Sequence, residues 1–106
     1  MKNPVSNLIN DRGNAAANQF VIIENTKSGE KTVFQSYETR VAYIRGSKVC
    51  ILPEALEPRC SGTPSSVTTR KHLYIFLRDY AGLPVRSVLD LKAYVKSGRI
   101  TVTSRI

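Results

Sequence analysis

Apolar and polar positions along the chain follow two different periods, and the change from one to the other divides the sequence. Gln19 to Glu24 and Lys31 to Ser36 are short runs rich in Val, Ile and Phe. Between them stands Asn25-Thr26-Lys27-Ser28-Gly29, which supplies turn residues and a glycine able to take positive φ, so the pair predicts a β-hairpin. Arg40 to Ile44 and Lys48 to Leu52 repeat the pattern around Arg45-Gly46-Ser47. A four-strand antiparallel meander follows.

Beyond residue 66 the period lengthens to that of a helix. Thr68 to Ala81 places Leu73, Phe76, Leu77 and Tyr80 at i, i+3, i+4 and i+7, one apolar stripe suited to packing on a sheet. Ser66 or Thr68 is positioned to cap its start, and Gly82 followed by Pro84 to stop it. Its other side carries Arg70, Lys71, Tyr74 and Arg78, of which Arg70, Tyr74 and Arg78 succeed one another at i, i+4 and i+8 as a basic ridge with an aromatic ring at its middle. Ser87 to Lys96 predicts a shorter helix, with Ser87 and Asp90 as a capping box and Gly98 as terminator. Val88, Leu91 and Val95 then face inward and Lys92 and Lys96 outward. Arg99 to Ser104 alternates, with Ile100 and Val102 on one side, as an edge strand would.

Two segments show neither period. Residues 1–17 are polar and rich in Asn, which reads as an N-terminal arm or irregular helix outside the core. Residues 53–66 hold three prolines, a glycine and four Ser or Thr, a long loop for so small a domain. Residues 18–106 are thus expected to form a single α+β domain, an antiparallel four- to five-stranded sheet packed against two helices.

Composition narrows the class. At 106 residues, 42% hydrophobic and 23% charged, the chain is expected to bury roughly two thirds of its unfolded surface in one core. Its longest apolar runs, such as Phe20-Val21-Ile22-Ile23, are far below the roughly 20 residues of a membrane-spanning helix, and the N-terminal segment lacks the apolar stretch of a secretory signal. A cytoplasmic protein with no membrane partner is the expectation. Two cysteines, Cys50 and Cys60, are too few for a disulfide framework and form no CxxC pair; two reduced thiols are expected, with a Cys50–Cys60 bridge the alternative.

Charge changes the picture most. Sixteen Lys and Arg stand against eight Asp and Glu, a net +8. Residues 59–106 carry nine of the cations and only Asp79 and Asp90. Such a local excess projects a positive potential that attracts polyanions, and nucleic-acid phosphate is the most abundant of these inside cells.

Candidate chemistry is sparse. One histidine, no paired-carboxylate spacing and no glycine-rich phosphate loop leave little for an enzyme, a metal or a nucleotide cofactor to use, so none of the three is expected. A histidine-hydrophobe-histidine metal site beside a nucleophilic tyrosine cannot be built from His72 alone. His72 reads as a surface or capping residue, or as a phosphate contact. Cations interleaved with aromatics suit nucleic acid, because an exposed ring stacks on a base while Lys and Arg neutralise phosphate. Tyr37, Tyr43, Tyr74 and Tyr94 are the available rings, and Tyr74, inside the basic ridge, is the best placed. The second helix lacks a face of Asn, Gln and Arg for reading bases, so recognition of phosphate and shape is expected over sequence-specific readout.

Two stretches carry a resemblance. Ser36-Tyr37-Glu38-Thr39-Arg40-Val41-Ala42-Tyr43-Ile44, followed by Ser66-Val67-Thr68-Thr69-Arg70-Lys71-His72 with Phe76-Leu77, resemble a small uncharacterised domain found in phage-encoded and related mobile-element proteins. The shared pattern spans about residues 19–78 and singles out Tyr37, Thr39, Thr68, Thr69 and His72; it implies no activity. The longer loop at Pro53 to Pro64 and the helix and strand after Gly82 depart from it.

Together these readings lead to a small basic accessory protein that binds DNA or RNA through Arg70, Lys71, His72, Tyr74, Arg78, Lys92, Lys96 and Arg99, in the host cytoplasm if phage-encoded. The alternative is a protein-interaction module, such as an inhibitor of a host defence enzyme or a minor virion component, laying the same face on an acidic partner. Pairing of the last strand with a second copy would make a homodimer.

Overall fold

A computed structural model describes residues 5–27, 29–56, 67–104 and 106. Its strands are β1 (Val5–Ile9), β2 (Ala15–Thr26), β3 (Gly29–Ser36), β4 (Thr39–Arg45), β5 (Lys48–Ile51) and β6 (Thr101–Val102). Its helices are α1 (Val67–Ala81) and α2 (Val88–Ser97). The six strands form one sheet in chain order, antiparallel throughout except where β6 runs parallel to β5. This is an α+β fold with one strand more than the four or five expected.

The meander follows the predicted strand order. Val21 pairs with Phe34, Phe34 with Ala42, and Ala42 with Ile51, so one face of every central strand presents apolar side chains in a row. That row meets α1, whose Phe76 stacks on Phe34 with ring centroids 5.4 Å apart. Leu73, Phe76 and Leu77 are fully buried, and each stabilises the fold by about 1.5–3 kcal/mol through apolar burial.

Tyr80, expected on the same stripe, is 44% exposed. It reaches past the core and covers the outer face of Phe76 at 5.2 Å. Ile75 is buried in its place, because the chain reverses at Gly82 (φ 68) and lays Leu83 and Val85 in the core cluster beside it.

The N-terminal segment corrects the reading of residues 1–17 as an arm. Within it β1 pairs with β2, Leu8 is fully buried and Ala16 nearly so. A tight turn joins the two strands: Asn10 Oδ1 accepts from the amides of Arg12 and Asn14, and Gly13 takes φ 79. Backbone pairing holds β1 in place, and no side-chain period records that.

α2 is capped as its sequence predicts at Ser87, whose Oγ accepts from Asp90 N at 3.3 Å. The returning carboxylate bond goes to Arg86 N, one residue outside the usual capping box. Leu91 is fully buried, Val95 packs against the core, and Gly98 ends the helix at φ 85.

The predicted strand over Arg99 to Ser104 shrinks to two residues. Ile100 is buried, but Val102 on the open edge is partly exposed. Pro53–Leu56 form a short 3-10 turn where loop was expected. The rest of that loop, with Cys60 and the Ser66 cap, lies outside the described residues, and Cys50 is a buried free thiol.

Candidate nucleic-acid interface

The β1–β2 turn leans over α1, and two depressions open along the junction. The first, of about 450 Å³, is lined by the Asn10-Asp11-Arg12 turn, Ala15 to Ala17, Lys71 and His72. The second, of about 280 Å³, is lined by Asp11, Lys71, Tyr74, Ile75, Arg78, Val85 and Arg86. Asp11 and Lys71 line both, so the two form one groove divided at that pair.

The division is built by charge. Arg78 donates to Asp11 at 2.7 Å across the turn and to Asp79 at 2.9 Å on its own helix. Those two carboxylates, Asp79 foremost, hold the guanidinium more firmly protonated than usual. Arg78, expected to contact a partner, is paired here with Asp11 and Asp79 and so links the β1–β2 turn to α1. Lys71 and His72 remain at the groove. The His72 Nδ1 lies 2.7 Å from the Thr68 carbonyl oxygen. A carbonyl can only accept, so Nδ1 carries the hydrogen and the ring is held with Nε2 as its remaining polar atom.

The ridge of Arg70, Tyr74 and Arg78 is thus occupied largely by its own contacts. The Arg70 guanidinium lies close enough to Tyr74 to act on its phenol, and Tyr74 is half-buried against the core. Burial pushes the Tyr74 phenol up from its ordinary value, Arg70 opposes that shift, and Asp90 adds to it. Lys92, Lys96 and Arg99 are exposed on and after α2, but they line neither depression. The structure does not gather them with Lys71 and His72.

Two cations that do line the groove, Arg12 and Arg86, were absent from the predicted set. Arg12 stands in the Asn10-Asp11-Arg12-Gly13 turn, where a hairpin signal was present in a segment read as an arm. Arg86 stands in the link before α2, and only the chain reversal at Gly82 brings that link back beside α1.

Strain and buried polarity collect near the first depression. Among the described residues, Asn18 (φ 61) and Tyr37 (φ 54) are the non-glycine positions at positive φ. They bond to each other, Tyr37 N to Asn18 O at 2.7 Å. For a bulky residue such a conformation costs on the order of 1–3 kcal/mol. Beside them lie three buried polar side chains. Gln19 and Ser36 are cross-strand partners, and Ser36 Oγ meets Thr69 Oγ1 of α1 at 2.8 Å. Gln19 is fully buried with both amide atoms lacking a hydrogen-bond partner among the described residues. Of the residues that the sequence resemblance singled out, Tyr37 follows Ser36, whose hydroxyl meets Thr69, and His72 lies one helical turn beyond Thr69.

Among the described residues no group of three His, Cys, Asp or Glu is placed to hold a metal ion. Among the described residues no helix is long and apolar enough to cross a membrane.

Strands β1 to β5 and α1, with the groove between the β1–β2 turn and α1, fall inside the segment that a protein-family model recognises. Residues 4–87 match the family of unknown function DUF8033, and the chain belongs to that family. The match ends before α2 and β6. No curated protein and no solved structure matches the chain at a significant level.

Proposed function

We propose that the protein is a small nucleic-acid-binding accessory protein of a phage or mobile element, acting in the host cytoplasm by holding phosphates in the groove between the β1–β2 turn and α1, without catalytic turnover. The observation that carries this reading is Lys71, standing where both depressions meet, with Arg12 and His72 on one side and Arg86 on the other. The net charge of +8 supplies the long-range attraction. The phage setting rests on the residue pattern from Ser36 to Ile44 and Ser66 to His72.

Fluorescence anisotropy of labelled single-stranded DNA, duplex DNA and RNA at several salt concentrations tests the reading. Each phosphate neutralised contributes about −0.9 to the log-log salt slope on duplex and about −0.7 on single strands, so the three groove cations predict a slope of roughly −2 to −3. Arg12→Glu with Lys71→Glu abolishes binding, whereas Lys92→Glu with Lys96→Glu weakens it only through net charge. Absence of binding at low salt, or full binding by the Arg12 and Lys71 double variant, refutes the proposal. The groove would then belong to the other reading, contact with an acidic protein surface.

A further inference from the structure

Tyrosine 37 is held in an unfavourable backbone conformation in order to remain outside the core. Tyr37 is 47% exposed as a residue; Tyr80, 44% exposed, has its ring stacked on Phe76, and Tyr74, the ring that the sequence favoured for stacking, is half-buried. The turn holding Tyr37 is fastened on both sides. Its amide donates to Asn18 O at 2.7 Å, and its carbonyl accepts from Gln35 Nε2 at 2.8 Å. Glycine or asparagine would suit φ 54 far better, so packing does not explain a tyrosine there.

The position of this turn relative to the groove points to a use. Asn18 follows directly on Ala15 to Ala17, which line the first depression opposite Lys71 and His72. Ser36, the residue before Tyr37, is joined at 2.8 Å to Thr69, one turn of helix from His72. Tyr37 is thereby tied, through Asn18 on one side and through Ser36 and Thr69 on the other, to the segments next to the depression lined by Arg12, Lys71 and His72. An exposed ring beside a row of cations is the arrangement that takes a base from an unpaired strand, the phosphates lying along the cations and the base stacking on the ring. In a duplex the base faces are covered by their neighbours and offer such a ring nothing.

We infer that Tyr37 is a base-stacking platform and that the groove's substrate is single-stranded nucleic acid. This inference rests on the phosphate-binding reading of the same groove.

The test uses two labelled single strands of equal length, one with normal bases and one abasic, together with a duplex. Each is titrated against wild type, Tyr37→Phe and Tyr37→Asn. Wild type and Tyr37→Phe bind the base-bearing strand about 5- to 150-fold more tightly than the abasic one, the range that one stacked base supplies. Tyr37→Asn binds both strands at the abasic level and leaves duplex binding unchanged. Asparagine tolerates positive φ, so its denaturation midpoint stays at or above that of wild type and the lost affinity is not lost folding. Equal affinity of wild type for the two strands, or unchanged binding by Tyr37→Asn, overturns the stacking inference and leaves the phosphate groove standing. Failure of wild type to bind any strand at low salt overturns both.

Discussion

Leu8 to alanine is the sharpest test of how the N-terminal segment behaves. Leu8 is fully buried in the core cluster, on a strand that pairs with β2 from Val5 opposite Ile22 to Ile9 opposite Ala15. Truncating a buried leucine loses its transfer free energy and leaves a cavity, together about 2.7–5.0 kcal/mol. A domain of this size holds about 5–15 kcal/mol in all, so one residue of a polar-looking segment controls a large share of it. Urea denaturation reads the change. With a slope of about 2 kcal/mol/M, a loss of about 3 kcal/mol lowers the midpoint by about 1.5 M. Ile9→Ala is the control, since Ile9 is 49% exposed on the same strand and its truncation costs under about 1 kcal/mol. If residues 5–9 were an arm outside the core, Leu8→Ala would stay within about 0.5 kcal/mol of wild type, and that result would refute the packing described for β1.

Two further predictions concern the core and its margin. Ser36→Ala removes the buried hydrogen bond to the Thr69 hydroxyl and costs about 0.5–1.5 kcal/mol; Ser36→Ala with Thr69→Ala costs less than the two single changes together, and additivity within about 0.5 kcal/mol in urea denaturation would show that the pair is not coupled. Burial raises the Tyr74 phenol above its ordinary 10.0, so the native state holds that proton more tightly than the unfolded chain does. Its stability contribution is complete below pH 10.0 and is lost as pH rises through the raised native value. Tyr74→Phe therefore flattens the alkaline fall in stability, and an unchanged fall in denaturation scans across that range would contradict the assignment.

Local chemistry alone determined most of the scaffold. The β-branched runs around Gly29 and Gly46, the stripe of Leu73, Phe76 and Leu77, and the Ser87 and Gly98 caps each act through neighbours within a turn or a hairpin, so their pattern is written in adjacent residues. Lys71 and His72 were legible as candidate contact residues near the start of α1, but not the groove that they line.

What required the tertiary structure was everything joined across long stretches of chain. β1 is held by backbone hydrogen bonds to β2, which leave little trace in side-chain polarity, and only its single buried Leu8 marks an inward face. Arg78 sits at a regular helical position beside Asp79, which its own helix shows, but its second partner Asp11 lies 67 residues away and is visible only in the fold. Arg12 and Arg86 reach the groove from opposite ends of the chain for the same reason. Tyr37 is exposed because Asn18, on a neighbouring strand, holds its amide at a backbone angle that its own residue type disfavours. Spacing along a chain specifies which faces exist; long-range closure decides which charges on those faces remain available to a partner.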